Sequence, residues 1–245
     1  VYLSVNGFNP IISILAALIV GAFWGWLNGF LITRFKLESF ILTLGTSYLI
    51  RGIILFLTNG IYIKGLPGWF YNISNTKVGT PLIHTNTVIF ILIFIIGMFI
   101  MKNTRYGRYC YSVGSNREAS RLSGINVNKH IIKVYIVEGV LAAIAGILLM
   151  SNINVGAPSE INGPELYAMA GSIMGGVAFG GGVGSIGGAI VGIFTIQVFQ
   201  NGLSILGVNS FIQQAVTGGI IIVAIVVDFY RRNGFLKKKL NKKNI

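Results

Sequence analysis

Long apolar runs separated by short polar breaks dominate the chain. The runs cover residues 11–32, 40–58, 87–101, 134–150, 166–182, 186–206 and 211–230. A helix needs about 20 apolar residues to cross a bilayer, and most of these runs meet that length. The run at 87–101 reaches it by taking in Leu82 and Ile83. The pattern predicts an all-α fold, a polytopic integral membrane helical bundle of about seven spans, with residues 1–230 forming the transmembrane domain. Between residues 166 and 206 two readings stay open. Gly180, Gly181, Gly182 and Gly184 suit either two full spans or a broken, re-entrant segment, because irregular backbone at membrane depth needs protein or water around it.

The polar breaks are residues 34–38, 59–86, 102–133, 151–165 and 231–245. The third is the longest polar island and holds Lys102, Arg105, Arg108, Arg117, Arg121, Lys129 and Lys133 against a single acid, Glu118. Ser115 and Glu118 fit the S-x-x-E capping box, in which hydroxyl and carboxylate satisfy free backbone N–H groups. Gly124 stands where a helix ends in a left-handed residue. The spacing predicts a helix of about eight residues over 116–123, too short to span and suited to lie at the surface. The other reading of this island is a solvated loop whose charge only sets orientation. Sixteen of the nineteen Lys and Arg lie in the break at 34–38, the central island and the tail at 231–245. Basic loops stay on the cytoplasmic side, so Val1 starts outside and the tail, expected to be disordered, ends inside. Seven crossings satisfy that parity.

Polar residues inside the runs form stripes. Gln197, Gln200, Asn201 and Ser204 fall at i, i+3, i+4 and i+7, one face of a helix. Ser39, Thr43, Thr46, Ser47 and Arg51 make a similar stripe in the second run. Such faces line a path for a polar solute or serve interhelical hydrogen bonding. Glycines recur at Gly184, Gly188 and Gly192, and small residues at Gly139, Ala142, Ala143 and Gly146. This spacing lets helix backbones approach closely. Glu138 lies near the cytoplasmic end of its run, where it reaches the interface or pairs with Lys133.

Composition agrees with membrane residence. Hydrophobic residues make up 53% and charged residues 10%, against about 25% charged in soluble domains, and mean hydropathy is +0.76. The net charge of +13 invites a nucleic-acid partner, but the charges flank apolar runs rather than forming a folded basic face. One cysteine, Cys110, excludes an internal disulfide framework. The glycine string 182–187 matches the letters of a dinucleotide fingerprint without its strand or its acid. No G-x-x-x-x-G-K-[ST] occurs, and the two histidines, His84 and His130, fall on opposite sides of the membrane in this topology. No enzyme, cofactor or metal site is expected. The chain opens on Val1 rather than Met and is read as the C-terminal part of a longer protein.

The run GSNREASRLSGINV, Gly114 to Val127, resembles the cytoplasmic loop of ribose-type permeases, the membrane subunits of ATP-binding-cassette (ABC) importers for simple sugars. The resemblance continues through Thr104 to Tyr109, Leu141 to Ile147, Pro164 to Ala168, Gly175-Gly176 with Gly180 to Gly184, Asn201-Gly202-Leu203 and Val227-Asp228, and so covers nearly the whole chain. It implies a subunit that hydrolyses nothing itself and sits in a bacterial cytoplasmic (inner) membrane. Its partners would be a cytoplasmic ABC ATPase, an extracytoplasmic sugar-binding protein and a second permease copy. Ser115, Asn116, Glu118, Ala119, Arg121, Leu122, Ser123, Gly124 and Ile125 would form the coupling loop that meets the ATPase. Thr43, Ser47, Arg51, Gln197, Gln200, Asn201 and Ser204 would line the path, while Gly175, Gly176, Gly184, Gly188 and Gly192 would pack helices. Glu138 stands where the family pattern expects an uncharged residue. The alternative is an ATP-independent facilitator or ion-coupled carrier, with Glu138 and Arg51 as working charges.

Overall fold

The computed structural model describes residues 1–78, 83–158 and 164–232. Its elements are helices: α1 (Tyr2–Val5), α2 (Pro10–Phe35), α3 (Ser39–Thr58), α4 (Gly68–Asn75), α5 (Thr85–Asn103), α6 (Arg105–Ser115), α7 (Arg117–Leu122), α8 (Val127–Ile153), α9 (Pro164–Met174), α10 (Ile186–Ile205) and α11 (Ser210–Arg232). Among the described residues, β structure is confined to two isolated bridges, Ile63 with Gly156 and Lys77 with His84. The predicted all-α membrane fold is what the chain adopts.

Local chemistry sets the helix ends. Asn9 caps α2 by accepting from the Ile11 N–H at 2.9 Å, with Pro10 in the first turn, where its missing N–H costs nothing. Asn126 caps α8 through the Lys129 N–H at 3.1 Å. α2, α3 and α8 each stop at a left-handed residue, Lys36, Asn59 and Asn154. Because Asn126 caps α8, that helix begins before the predicted run and takes in Lys129, His130 and Lys133.

Five described helices are long and apolar enough to cross a membrane: α2, α3, α5, α8 and α10, while α11 carries a shorter apolar stretch, Phe211–Val227. The run at 166–182 is not a full helical span. α9 stops at Met174 after 11 residues, about 16 Å of helix against a hydrocarbon layer of about 30 Å. Gly176, at φ +91°, ends it in the left-handed region, and the broken-helix alternative holds. Of the seven predicted runs, six are long helices and one is a short helix closed by a glycine turn.

The helices group into two compact units, Val1–Ile95 with Ser123–Asn162, and Ile96–Leu122 with Gly163–Ile245. In the first unit α2 and α8 run antiparallel with their backbones in contact. A Cβ at Gly25 would fall on the Tyr135 carbonyl, one at Gly21 on the Gly139 carbonyl, and one at Gly29 would lie 2.8 Å from the Ile132 Cα. Thr46 on α3 donates to the Asn28 Oδ1 of α2 at 2.7 Å. α4 is fastened to the end of α8 by a buried serine pair. Ser151 Oγ accepts from the Ser74 N–H at 3.0 Å and donates to the Phe70 carbonyl at 2.6 Å, and Ser74 Oγ donates to the Leu148 carbonyl at 2.9 Å.

The second unit repeats the small-residue device. α9 and α10 are antiparallel, with Gly175 on the Gly188 carbonyl and Gly192 on the Gly171 carbonyl, so that neither Gly175 nor Gly192 has room for a Cβ. Ala170, Ile173 and Ile196 form the buried centre of this hairpin. Of the five glycines predicted to pack helices, Gly175, Gly188 and Gly192 stand in this seam. Gly176 and Gly184 shape the α9–α10 turn instead, at φ +91° and +147°.

Candidate functional site

The basic island folds into two helices where one was predicted. α6 exposes Arg105, Arg108, Tyr109 and Ser112 and turns Gly107 and Val113 inward. Ser115 is its last residue. Its backbone is therefore still helical, and it does not cap α7 as the capping box predicted. Asn116, extended at φ −153° and ψ 107°, takes that role one position later and accepts the Ala119 N–H at 2.9 Å. The carboxylate of Glu118 turns to Arg121 instead of reaching back, with Nε at 3.1 and 3.2 Å and Nη2 at 2.5 Å. The fork of donors from Arg121 holds the Glu118 carboxyl below the usual carboxylate range.

α7 is thus a short, pre-shaped helix of six residues. Its inner side is Ser120, 2% exposed, whose hydroxyl meets Ser112 on α6 at 2.7 Å. Ala119 and the ion pair face solvent, as does Leu122, which is 75% exposed. Gly124 follows at φ +83° with open space around it. That conformation suits glycine, and it ends the peg as predicted. An exposed leucine beside a fixed ion pair is a shape that a protein surface can grip.

The two polar stripes fare differently. On α3 the hydroxyls are satisfied within their own helix: Thr43 donates to the Ser39 and Phe40 carbonyls at 3.0 and 3.2 Å, and Ser47 to the Leu44 carbonyl at 2.8 Å. The Arg51 guanidinium lies 5.8 Å from the centre of the Tyr48 ring, within cation–π reach. On α10 the stripe divides. Gln200 donates to Thr217 of α11 at 3.2 Å, and Ser204 to Gln213 of α11 at 3.2 Å. Thr217 passes the chain on to the Gln213 carbonyl at 2.8 Å. These two residues form an interhelical seam. The side chains of Gln197 and Asn201 are exposed and bond to no described residue.

Glu138 is exposed on α8 and makes no ion pair with Lys133. No group of three or more potential metal ligands occurs among the described residues. Three features escape a reading of the sequence. The glycine row Gly21, Gly25, Gly29 is visible as letters, but its partner on α8 is more than a hundred residues away. α4 lies in a break whose polarity conceals its helix, and α6 in an island whose charge does the same. The tail beyond residue 232 and residues 159–163 lie outside the described residues.

Over residues 1–225 the chain matches the family model described as branched-chain amino acid transport system / permease component. It is 36% identical to the ribose import permease protein of Escherichia coli (strain K12) over 228 residues, 90% of this chain and 69% of that one. Identity is again 36% over 225 residues to the ribose import permease protein of Bacillus subtilis (strain 168), covering 91% and 70%. The D-allose transport system permease protein of Escherichia coli (strain K12) is 35% identical over 229 residues, 92% and 69% of the two chains. No solved structure matches the chain. A multi-pass helical membrane protein that aligns along nine-tenths of its length with such permeases belongs to the branched-chain amino acid transport system / permease component family.

Proposed function

We propose that the chain is the membrane-spanning permease subunit of an ABC importer that moves a simple sugar, a ribose-like pentose or a related monosaccharide, across the bacterial cytoplasmic membrane. The observation that carries this reading is the continuous likeness to ribose and allose permeases over nine-tenths of the chain. A cytoplasmic ATPase supplies the energy, an extracytoplasmic binding protein delivers the sugar, and a second copy completes the path. The permease itself hydrolyses nothing. Residues 1–230 form its membrane domain, with the loop 102–133 and the tail 231–245 on the cytoplasmic side.

Residues 115–125 dock on the ATPase. The form of α7 supports this assignment: it is short, capped, locked by its own ion pair and tipped by an exposed leucine. ATP-driven movement of the partner displaces this rigid peg, and the spans on either side follow. Lipid offers no partner for the side chains of Gln197 and Asn201, and these two amides face the permeation path. Thr43, Ser47 and Arg51 are assigned to the path by their stripe on α3, while Gln200 and Ser204 hold α10 to α11.

Uptake by vesicles carrying the purified permease decides between this reading and a self-sufficient carrier. Uptake of labelled ribose or allose should require both the ATPase and the binding protein, whereas a carrier would need neither. Proline cannot reach the φ of +83° at Gly124. Gly124→Pro should therefore abolish sugar-stimulated ATP hydrolysis while the protein still inserts. Unchanged stimulation in the assembled complex would remove the docking role from the peg.

A further inference from the structure

The turn between α9 and α10 is held by its own backbone and leans on α6. The Ala178 N–H donates to the Val183 carbonyl and the Gly181 N–H to the Ala178 carbonyl, each at 2.9 Å. These bonds close the turn into one compact piece. Its edge lies on the last turn of α6 with no side chain between. A Cβ at Gly114 would fall on the Gly182 nitrogen, and one at Gly182 would lie 2.6 Å from both the N and the Cα of Ser115. One turn earlier on α6, Tyr111 donates its hydroxyl to the Gly184 carbonyl at 3.0 Å.

Beside this contact the turn borders an open cleft. A cleft of about 260 Å³, mostly apolar, is lined by Met101, Cys110, Tyr111, Val177 and Ala189 together with the turn itself. The turn therefore combines a stiff backbone contact with α6 and open space directly beside that contact. A rigid piece with open space beside it has room to shift as a unit. The stiff contact also leads directly to α7. Ser115 precedes Asn116, the cap of α7, and the Ser112–Ser120 bond ties α7 to the body of α6.

We propose that Tyr111, Gly114 and Gly182 form a transmission joint that carries displacement of α7 into the α9–α10 hairpin. This rests on the reading that an ATPase drives α7. The three are positioning residues and touch no solute. Gly182, Gly114 and Ser115 transmit a push because backbone meets backbone with no compliant side chain between them. Tyr111 transmits the return pull, because its hydroxyl is bonded to the turn. Gly175, Gly188 and Gly192 then keep α9 and α10 moving as a pair, and the seam from Gln200 to Thr217 passes the motion to α11.

Cys110, the only cysteine in the chain, is a built-in reporter because it lines the cleft. Burial pushes its thiol up from the ordinary range, so it stays protonated at neutral pH and reacts slowly while the turn is in place. The test uses the transporter assembled from permease, ATPase and binding protein in lipid vesicles, with sugar taken up per ATP hydrolysed as the readout. Tyr111→Phe and Gly182→Ala should keep the ATPase bound and hydrolysing. Tyr111→Phe should lower the uptake ratio by about fivefold, the factor one lost hydrogen bond is worth, and Gly182→Ala, which forces a methyl between the two backbones, by at least as much. In the wild type, a fluorescent maleimide should label Cys110 several-fold faster in one nucleotide state than in the other, and this difference should shrink in Gly182→Ala. Should Gly182→Ala fail to assemble, Tyr111→Phe decides alone. Wild-type uptake ratios in the variants that assemble, or equal Cys110 labelling in the two nucleotide states, would overturn the joint. Wild-type uptake without any ATPase would overturn the importer reading instead.

Discussion

Ser151 shows how much one hydroxyl decides. It is fully buried, takes the Ser74 N–H and donates to the Phe70 carbonyl, and thereby holds α4 on the end of α8. Ser151→Ala removes both bonds, but the Phe70 carbonyl and the Ser74 N–H stand at i and i+4 of α4 and can pair within the helix, so the loss is that of the tie itself, about 0.5–1.5 kcal/mol. Hydrogen exchange should then show the amides of α4 opening more easily by that amount, with α2 and the rest of α8 unaffected. Unchanged α4 protection would mean that packing alone holds it. The sequence places Ser151 at the start of a polar link, and nothing local contradicts that, because its partners are 77 and 81 residues away. Gly124 is legible for the opposite reason: its role is confined to its own φ and the short helix before it. The slip from Ser115 to Asn116 is similarly local. Both side chains can cap, and only the end of α6, hidden among charges, selects the second.

At the scale of elements, the contact between α2 and α8 is backbone on backbone. Gly25→Ala places a methyl on the Tyr135 carbonyl, with the Ile136 Cα 3.0 Å away, and the two helices must separate. Gly146, on the same helix α8, has nothing within 4 Å of the Cβ position. Overpacking costs about 1–3 kcal/mol, whereas Gly to Ala in an open helix position gains up to about 1 kcal/mol. Thermal unfolding in detergent should therefore fall for Gly25→Ala and hold or rise for Gly146→Ala. Equal behaviour would show that the seam tolerates separation. The stripe Gly139, Ala142, Ala143 and Gly146 is thus half right as a sequence reading. Gly139 and Ala143 meet α2, while Gly146 does not, because spacing shows which residues share a face and not which partner covers it. Long spans are legible because hydropathy accumulates over twenty residues. The brevity of α9 is not, since its glycines stop the helix through backbone angles without lowering the hydropathy of the run.

Several apolar helices lie largely uncovered. α5 has no buried residue, and α10 exposes Val191, Phe194 and Val198, as expected for surfaces covered by lipid or by another copy. Gln197 and Asn201, one turn apart on α10, break that pattern. Lipid satisfies no amide, and an unpaired polar group in hydrocarbon costs several kcal/mol. The chain bonds their neighbours Gln200 and Ser204 to α11 and leaves these two side chains facing outward. A water-filled path or a facing second copy would satisfy them, and the two cases separate by substitution. Gln197→Leu with Asn201→Leu removes both amides at similar size. If they line the path, uptake should slow by about tenfold, corresponding to about 1.4 kcal/mol on the transport barrier, with the ATPase still copurifying. If they only bridge two copies, the double variant should lose dimer in detergent while each surviving dimer transports at the normal rate. Normal uptake from an intact dimer would return the pair to a packing surface, and only Thr43, Ser47 and Arg51 would remain for the path.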